Sequence, residues 1–211
     1  MKRQVRFTFV ADRSNRTGFA VPTAALADVC DETSLRLITP DEVTSLDFGD
    51  LPEVVDIVAF SAMTVTFDTA LRAMRRLKAA RPEGSFVTIC GGSHASALPR
   101  EVLKAGFDYC CVGEGEEVCV ELVGVVRRWK REGGSREDLL RALCQLEGVY
   151  VPSLYEADYG PDGAFLGLRP RYSGVPPIIK ARRVRELAPE NYPDRPLVSL
   201  TEITHDRLTL E

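Results

Sequence analysis

Apolar positions along this chain follow two rhythms. Short apolar runs occur at Val5–Val10, Leu35–Ile38, Asp56–Ser61, Phe86–Ile89 and Tyr109–Val112. The Asp56–Ser61 run is nearly continuous, as in a strand buried on both faces. Between the runs, apolar residues recur at helical spacing. Gly18–Cys30 reads as a helix with Phe19, Leu26 and Val29 as its buried stripe, and Pro22 fits in its first turn. Phe67–Ala80 sets Leu71, Met74 and Leu77 on one side and Arg72, Arg75, Arg76 and Lys78 mostly on the other. Pro99–Ala105 is a short helix closed by Gly106. Glu116–Glu132 is a long one stopped by Gly133-Gly134. Residues 40–53, with Pro40, Gly49 and Pro52, read as a loop with a short helix begun at Asp41. Strand and helix alternate, which predicts an α/β fold with a doubly wound parallel sheet.

After residue 134 the pattern changes. Ser135–Leu146 is one more helix, with Ser135 as N-cap and Asp138 at the third helical position. Gly148–Tyr155 alternates as a strand, and Asp158–Gly163 is a turn. Residues 168–198 hold six prolines and no lasting period. The expected division is an α/β domain over 1–134, then a helix, a β-hairpin and an extended linker over 135–211.

Charge narrows the class. The chain has 27 basic and 31 acidic residues, intermixed, for a net charge of −4. A nucleic-acid partner would call for a concentrated basic face, so none is expected. Lys180–Arg185 reads as a solvated or interdomain stretch. No apolar run approaches the roughly 18 residues that span a membrane, so no membrane partner is expected either. Met1-Lys2-Arg3-Gln4 leads straight into a strand-like segment without a signal peptide, which suits a cytoplasmic protein. The six cysteines, at 30, 90, 110, 111, 119 and 144, form no Cys-x-x-Cys and read as core thiols.

The candidate chemistry lies at two glycine turns, each following an apolar run. The first is Gly91-Gly92-Ser93-His94-Ala95 and the second is Val112-Gly113-Glu114-Gly115-Glu116. In an open parallel sheet such turns line the crevice at the carboxyl ends of the strands, where ligands bind. Gly91 and Gly92 would let a ligand approach the backbone, or simply make a turn with positive φ. Ser61 ends the third run, where it either faces a ligand or satisfies local backbone groups. His94 can bind metal or move protons near neutrality, but a lone histidine reads first as a surface or loop hydrogen bond. Glu114 and Glu116 read first as carboxylates at a helix start. Arg13, Asn15 and Arg16 form a polar loop after the first strand that either touches a phosphate or is merely solvated.

Four segments together resemble the N-terminal cobalamin-binding region of the cobalamin-dependent radical S-adenosylmethionine enzymes. They are Arg13–Gly18, Val58-Ala59-Phe60-Ser61-Ala62-Met63-Thr64, Gly91-Gly92-Ser93-His94-Ala95, and Gly106-Phe107-Asp108-Tyr109 running on to Glu116. The third is close to that family's Gly-Gly-Pro-His-Ala. The resemblance covers residues 5–125, and the tail, with Gly148–Pro152 and Asn191-Tyr192-Pro193, is similar to the linker toward the radical domain. It implies a flavodoxin-like, five-stranded sheet in the order 2-1-3-4-5. It also implies cobalamin as cofactor, held by Asn15, Arg16, Gly18, Ser61, Met63, Thr64, Gly91, Gly92, His94, Gly113, Glu114 and Gly115. The nucleotide tail would run past Ser61.

The departures are as specific. The family's next segment carries Cys-x-x-x-Cys-x-x-Cys, the ligands of a 4Fe–4S cluster. None of the cysteines here has that spacing, and Thr209-Leu210-Glu211 stands about where the motif would begin. A Leu-Glu ending is also what a cloning junction leaves. The resemblance thus implies a domain of a longer enzyme, not catalytic by itself. The cluster, S-adenosylmethionine and a C-terminal radical domain as partner would belong to the absent part. Other cobalamin domains offer Asp-x-His-x-x-Gly after the first strand, with that histidine on cobalt. Here the segment is Asp12-Arg13-Ser14-Asn15-Arg16-Thr17-Gly18, without a histidine, which implies cobalamin with no protein imidazole on the metal. The alternative is a flavodoxin-like regulatory or nucleotide-binding module. A receiver would need an aspartate where Ser61 stands, and a dinucleotide site would place its glycines after the first strand.

Overall fold

The structure is a computed structural model that describes residues 5–12, 20–26, 29–45, 55–81 and 85–186. Its centre is a sheet of β1 (Arg6–Asp12), β2 (Glu32–Ile38), β3 (Ile57–Ser61), β4 (Val87–Gly91), β5 (Tyr109–Cys111) and β6 (Val149–Tyr150). The order is β2-β1-β3-β4-β5-β6. The first five strands are parallel, and β6 is antiparallel to β5, with Cys110 opposite Tyr150 and Cys111 opposite Val149. The expected order of the five parallel strands holds. The expected count of five does not, because the sheet has a sixth strand. The Gly148–Tyr155 run is interrupted by a 3-10 turn at Pro152–Leu154, so only two of its residues join the sheet. Alternation marks the extended backbone but not the turn that breaks it, because Val151 and Leu154 keep the apolar pattern in step through the 3-10 turn. The run resumes as β7 (Tyr155–Tyr159), which forms an antiparallel hairpin with β8 (Phe165–Pro170).

Successive residues of a strand face opposite sides of a sheet. Phe9, Ala59, Ile89 and Cys111 face α1 (Ala20–Leu26) and α5 (Glu116–Glu132), with which they share a cavity. Phe60 and Cys110, one step out of phase, face the side of α2 (Phe67–Ala80), α3 (Ser93–Ala97) and α4 (Pro99–Ala105). There Phe60 meets Phe107 edge-on with ring centroids 5.5 Å apart, and the Cys110 thiol points at the Ala95 carbonyl. α6 (Arg136–Leu143) packs on α5 and opens with the expected capping box. The Asp138 amide donates to Ser135 Oγ at 3.1 Å and the Ser135 amide to Asp138 Oδ2 at 2.8 Å. The core continues past residue 134 through Leu139, Leu143, Val149, Tyr150, Leu154 and Tyr155. Among the described residues no helix is long and apolar enough to cross a membrane.

One device recurs at the amino ends of the strands. Asp31, Asp56 and Asp108 each stand one residue before a strand, and each accepts an amide hydrogen from the neighbouring strand. Asp31 takes that of Val5 at 2.8 Å, Asp56 that of Arg6 at 2.8 Å, and Asp108 that of Thr88 at 2.7 Å. Each is also held by cations from the helices: Arg127 on Asp31, Lys130 on Asp56, Lys78 and Arg136 on Asp108. The lower edge of the sheet is thereby cross-braced to α2, α5 and α6. At the carboxyl ends of β4 and β5 the glycine turns take over.

Candidate functional site

A cavity of about 350 Å³ opens at the carboxyl ends of β3, β4 and β5 and runs down between the sheet, α1 and α5. Its floor is apolar. Phe9, Ala59 and Ile89 come from the sheet, Pro22 from α1, and Val118 and Leu122 from α5. Cys111 and Cys119 complete the lower wall. Burial pushes the Cys111 thiol up to about 12, with the Glu116 carboxylate adding and Arg182 opposing. Burial, Cys111 and Glu116 also raise Cys119. Both are therefore neutral thiols near pH 7 and behave as small apolar groups.

The mouth is built by the two glycine turns. Ser96 joins them, since its hydroxyl donates to the Gly92 carbonyl at 3.0 Å and accepts from the Gly113 amide at 3.0 Å. Gly92 has φ +90°, and a Cβ there would stand 2.8 Å from the Ala62 carbonyl oxygen and 2.9 Å from Ser61 Oγ. Its need for glycine is set by the neighbouring strand end, whatever lies in the cavity. Gly115 is the opposite case: a Cβ there meets no atom within 4 Å. Gly91 is intermediate, with Cys111 Cβ at 3.7 Å.

The extended segment after the hairpin reaches this mouth. Arg182 forms a parallel bridge with Gly113, its amide donating to the Val112 carbonyl at 2.9 Å and its carbonyl accepting from the Glu114 amide at 3.1 Å. The Arg182 guanidinium is caged by Glu117 and Glu121 of α5, with Glu147 at 4.0 Å. The Val184 amide donates to the Glu114 carboxylate. Glu114 therefore has a partner in the arm. Glu116 does not: its Oε2 lies buried at the cavity wall with no hydrogen-bond partner among the described residues.

Of the residues singled out in the sequence, Ser61, Gly91, Gly92, Gly113, Glu114 and Gly115 line the cavity together. Met63 and Thr64 do not. Met63 opens the 3-10 turn after β3, where its amide donates to Thr66 Oγ1 at 3.1 Å, and Thr64 is exposed. His94 lies on the opposite face, 2% exposed. Its ring stacks on Phe67 at 3.9 Å between centroids, with Nδ1 3.4 Å from Thr64 Oγ1. The ring is therefore not at the surface: it is buried and stacked and keeps a hydrogen bond to Thr64 of the turn after β3, because Ser93–Ala97 coils into a helix that turns position 94 inward. Asn15, Arg16 and Gly18, with Arg13, lie outside the described residues. Sequence reasoning missed the floor. Val118 and Leu122 lie on the apolar stripe of α5, and a stripe that faces a cavity is spelled like one that faces a core. Among the described residues no group of three or more His, Cys, Asp or Glu could hold a metal ion.

Against known proteins, the family described as radical SAM proteins, N-terminal, matches residues 21–152. No curated protein matches significantly. A solved cobalamin-dependent S-adenosylmethionine radical enzyme, OxsB, with aqua-cobalamin and S-adenosylmethionine bound, is 12% identical with a TM-score of 0.49. The match covers 86% of this chain and 23% of that one. This chain thus spans about a quarter of the length of that enzyme. The N-terminal domain of a hypothetical protein from Thermotoga maritima is 29% identical over 40% of this chain and 78% of that one, with a TM-score of 0.30. The family match extends over well over half of the sequence, and the chain belongs to the radical SAM N-terminal family.

Proposed function

We propose that this member of the radical SAM N-terminal family binds cobalamin and takes the nucleotide tail of the cofactor into the slot between the sheet, α1 and α5. The observation that carries the reading is the make-up of that slot: an apolar floor, a mouth of glycines and serines, and an acidic rim at the carboxyl edge of a parallel sheet. An aromatic base suits the floor of Phe9, Ala59, Ile89, Val118 and Leu122, where burial of apolar surface supplies the binding energy. Gly115, whose Cβ position is open, and Gly91 leave room for a wide, rigid ring system to sit against backbone. The corrin ring carries neutral amides, which donate hydrogen bonds, and the rim offers carboxylates that accept them.

The same rim weighs against the nucleotide-binding alternative. Among the described residues that line the cavity there is no lysine, arginine or histidine. A di- or triphosphate would bring its charge to Glu114 and Glu116 without a compensating cation among the described residues, although the start of α5 would otherwise suit an anion. The tail of cobalamin carries only a phosphodiester monoanion.

The group fits without a histidine ligand. Among the described residues the cavity lining contains no imidazole, and His94 is packed on the far face against Phe67. Bound cobalamin supplies a cobalt centre that can carry a methyl group. This chain's residues would hold the tail, exclude water from the base and orient the ring. On this reading the 4Fe–4S cluster and S-adenosylmethionine belong to a further, C-terminal radical domain of a longer enzyme, which covers the open side of the ring. The test is titration of the purified chain with hydroxocobalamin, followed by the visible spectrum of the cofactor and by calorimetry. Saturable binding with one site supports the reading, and absence of binding refutes it. With only one wall present, the affinity should be micromolar or weaker, since less of the ordering cost is offset.

A further inference from the structure

We infer that Glu116 sets the specificity of the slot by accepting a hydrogen bond from an N–H or O–H of the bound cofactor. This inference rests on the cobalamin reading. Glu114 and Glu116 look equivalent in the sequence, but the structure gives them different partners. The Glu114 carboxylate is taken by the Val184 amide of the arm. Glu116 Oε2 is buried at the cavity wall with no partner among the described residues.

Its neighbours make that oxygen costly. Cys111 and Cys119 flank it, and its charge raises both thiols. Among the described residues, the cation at the mouth is committed elsewhere: Arg182 is held by Glu117 and Glu121, whose side chains leave α5 within two turns of Glu116. A buried carboxylate oxygen without a donor forfeits its hydration and receives nothing in return. A ligand that carries a donor into the slot removes the deficit, and one without a donor leaves it in place. The asymmetry is the source of selectivity, since a site built to bond a donor rejects analogues that lack it far better than an apolar pocket does. Two parts of cobalamin carry such donors, the side-chain amides of the corrin ring and the ribose hydroxyl of the tail.

The experiment uses the whole chain with hydroxocobalamin and reads both affinity and the melting temperature of the ligand-free protein. E116Q keeps an acceptor without charge, and its affinity should fall about fivefold. E116A removes the acceptor, and the fall should be about thirtyfold, as for loss of a hydrogen bond to a charged group. Without ligand, E116Q should melt higher than wild type, because Oε2 is buried without a donor among the described residues and a neutral amide is cheaper to bury there than a charged oxygen. A merely structural carboxylate would give the reverse, a lower melting temperature. With dicyanocobinamide, which has the ring amides but no tail, a penalty that persists assigns the donor to the ring. A penalty that vanishes assigns it to the ribose. If wild type binds hydroxocobalamin and E116A binds it equally well, the inference falls while the cobalamin reading stands. If wild type does not bind, both fall.

Discussion

Gly113 and Arg182, far apart in sequence, touch backbone to backbone. A Cβ at Gly113 would overlap the Arg182 carbonyl oxygen and stand 2.7 Å from its amide nitrogen, and Gly113 has φ +97°. The glycine that looked like a ligand-facing turn is therefore also the seat of the arm. Replacing Gly113 with alanine should destabilise the chain by roughly 1–3 kcal/mol from the positive φ alone, with more from the lost seat. Urea unfolding measures the loss. Amide exchange should quicken at Arg182 and Glu114, whose hydrogen bonds close the contact.

Arg182→Met should release the same arm by another route. The guanidinium is 15% exposed, but Glu117 and Glu121 are 44% and 37% exposed, so solvent screens much of the interaction. A loss of about 1–2 kcal/mol is expected, between the values for exposed and buried pairs. Faster proteolysis between residues 176 and 186 in the variant than in wild type is the check.

Asp108 braces the lower edge of the sheet. Burial alone would raise its carboxyl, but the Thr88 amide, Lys78, the Thr88 hydroxyl and Arg136 outweigh it and hold it below the ordinary range. A carboxyl lowered in the folded state stabilises the fold above its unfolded pKa, and that contribution is lost as pH falls through the folded value. Asp108→Asn should cost about 1–3 kcal/mol at neutral pH, because Lys78 and Arg136 lose their shared partner but keep part of their hydration. Stability of wild type and variant should converge in acid, which a urea series across pH 2–7 resolves.

His94→Ala separates packing from binding. The ring is 2% exposed and stacked on Phe67, so truncation should cost roughly 2–4 kcal/mol of stability, the scale of a large-to-small core change. Because His94 does not line the cavity, cobalamin affinity at a temperature where the variant is folded should be unchanged. A change in the electron paramagnetic resonance of bound cob(II)alamin would show an imidazole on cobalt after all.

The parallel core was legible in the sequence because buried strands and amphipathic helices write themselves as runs and periods. Asp56–Ser61 and Phe67–Ala80 are both found where the pattern puts them. The strand read over Gly148–Tyr155 was found at its two ends, in β6 and at the start of β7, but the 3-10 turn that splits it, and the joining of β6 to the parallel sheet, were not legible. The turns at the mouth could be placed from their glycines, but not the reason for each glycine. Gly92 is fixed by Ala62, Gly113 by Arg182, and only Gly115 faces open space. The cage around Arg182 was hidden because its members, Glu117, Glu121 and Glu147, approach from beyond sixty-odd or thirty-odd residues away, a distance over which charge pattern says nothing.

That difference among the glycines sharpens the choice of variants. Gly92→Leu would strain the fold with or without ligand. Gly115 has φ −99° and room for a side chain. Gly115→Ala should leave stability within about 0.5 kcal/mol of wild type or raise it slightly, as a glycine replaced at a compatible backbone does. Gly115→Leu should keep the fold and fill the mouth. Melting temperature and hydroxocobalamin binding, read on the same samples, separate the two effects.

If the slot between the sheet, α1 and α5 holds the tail of cobalamin, corrinoids with and without that tail must differ in affinity. The most direct measurement compares hydroxocobalamin with dicyanocobinamide on the wild-type chain by calorimetry, with Gly115→Leu alongside. Hydroxocobalamin should bind at least tenfold more tightly than the tail-less corrinoid, because only the former places a base against Phe9, Ile89 and Leu122, and Gly115→Leu should erase that preference. Equal affinity for the two corrinoids, or no binding of either, would show that the slot does not hold the tail.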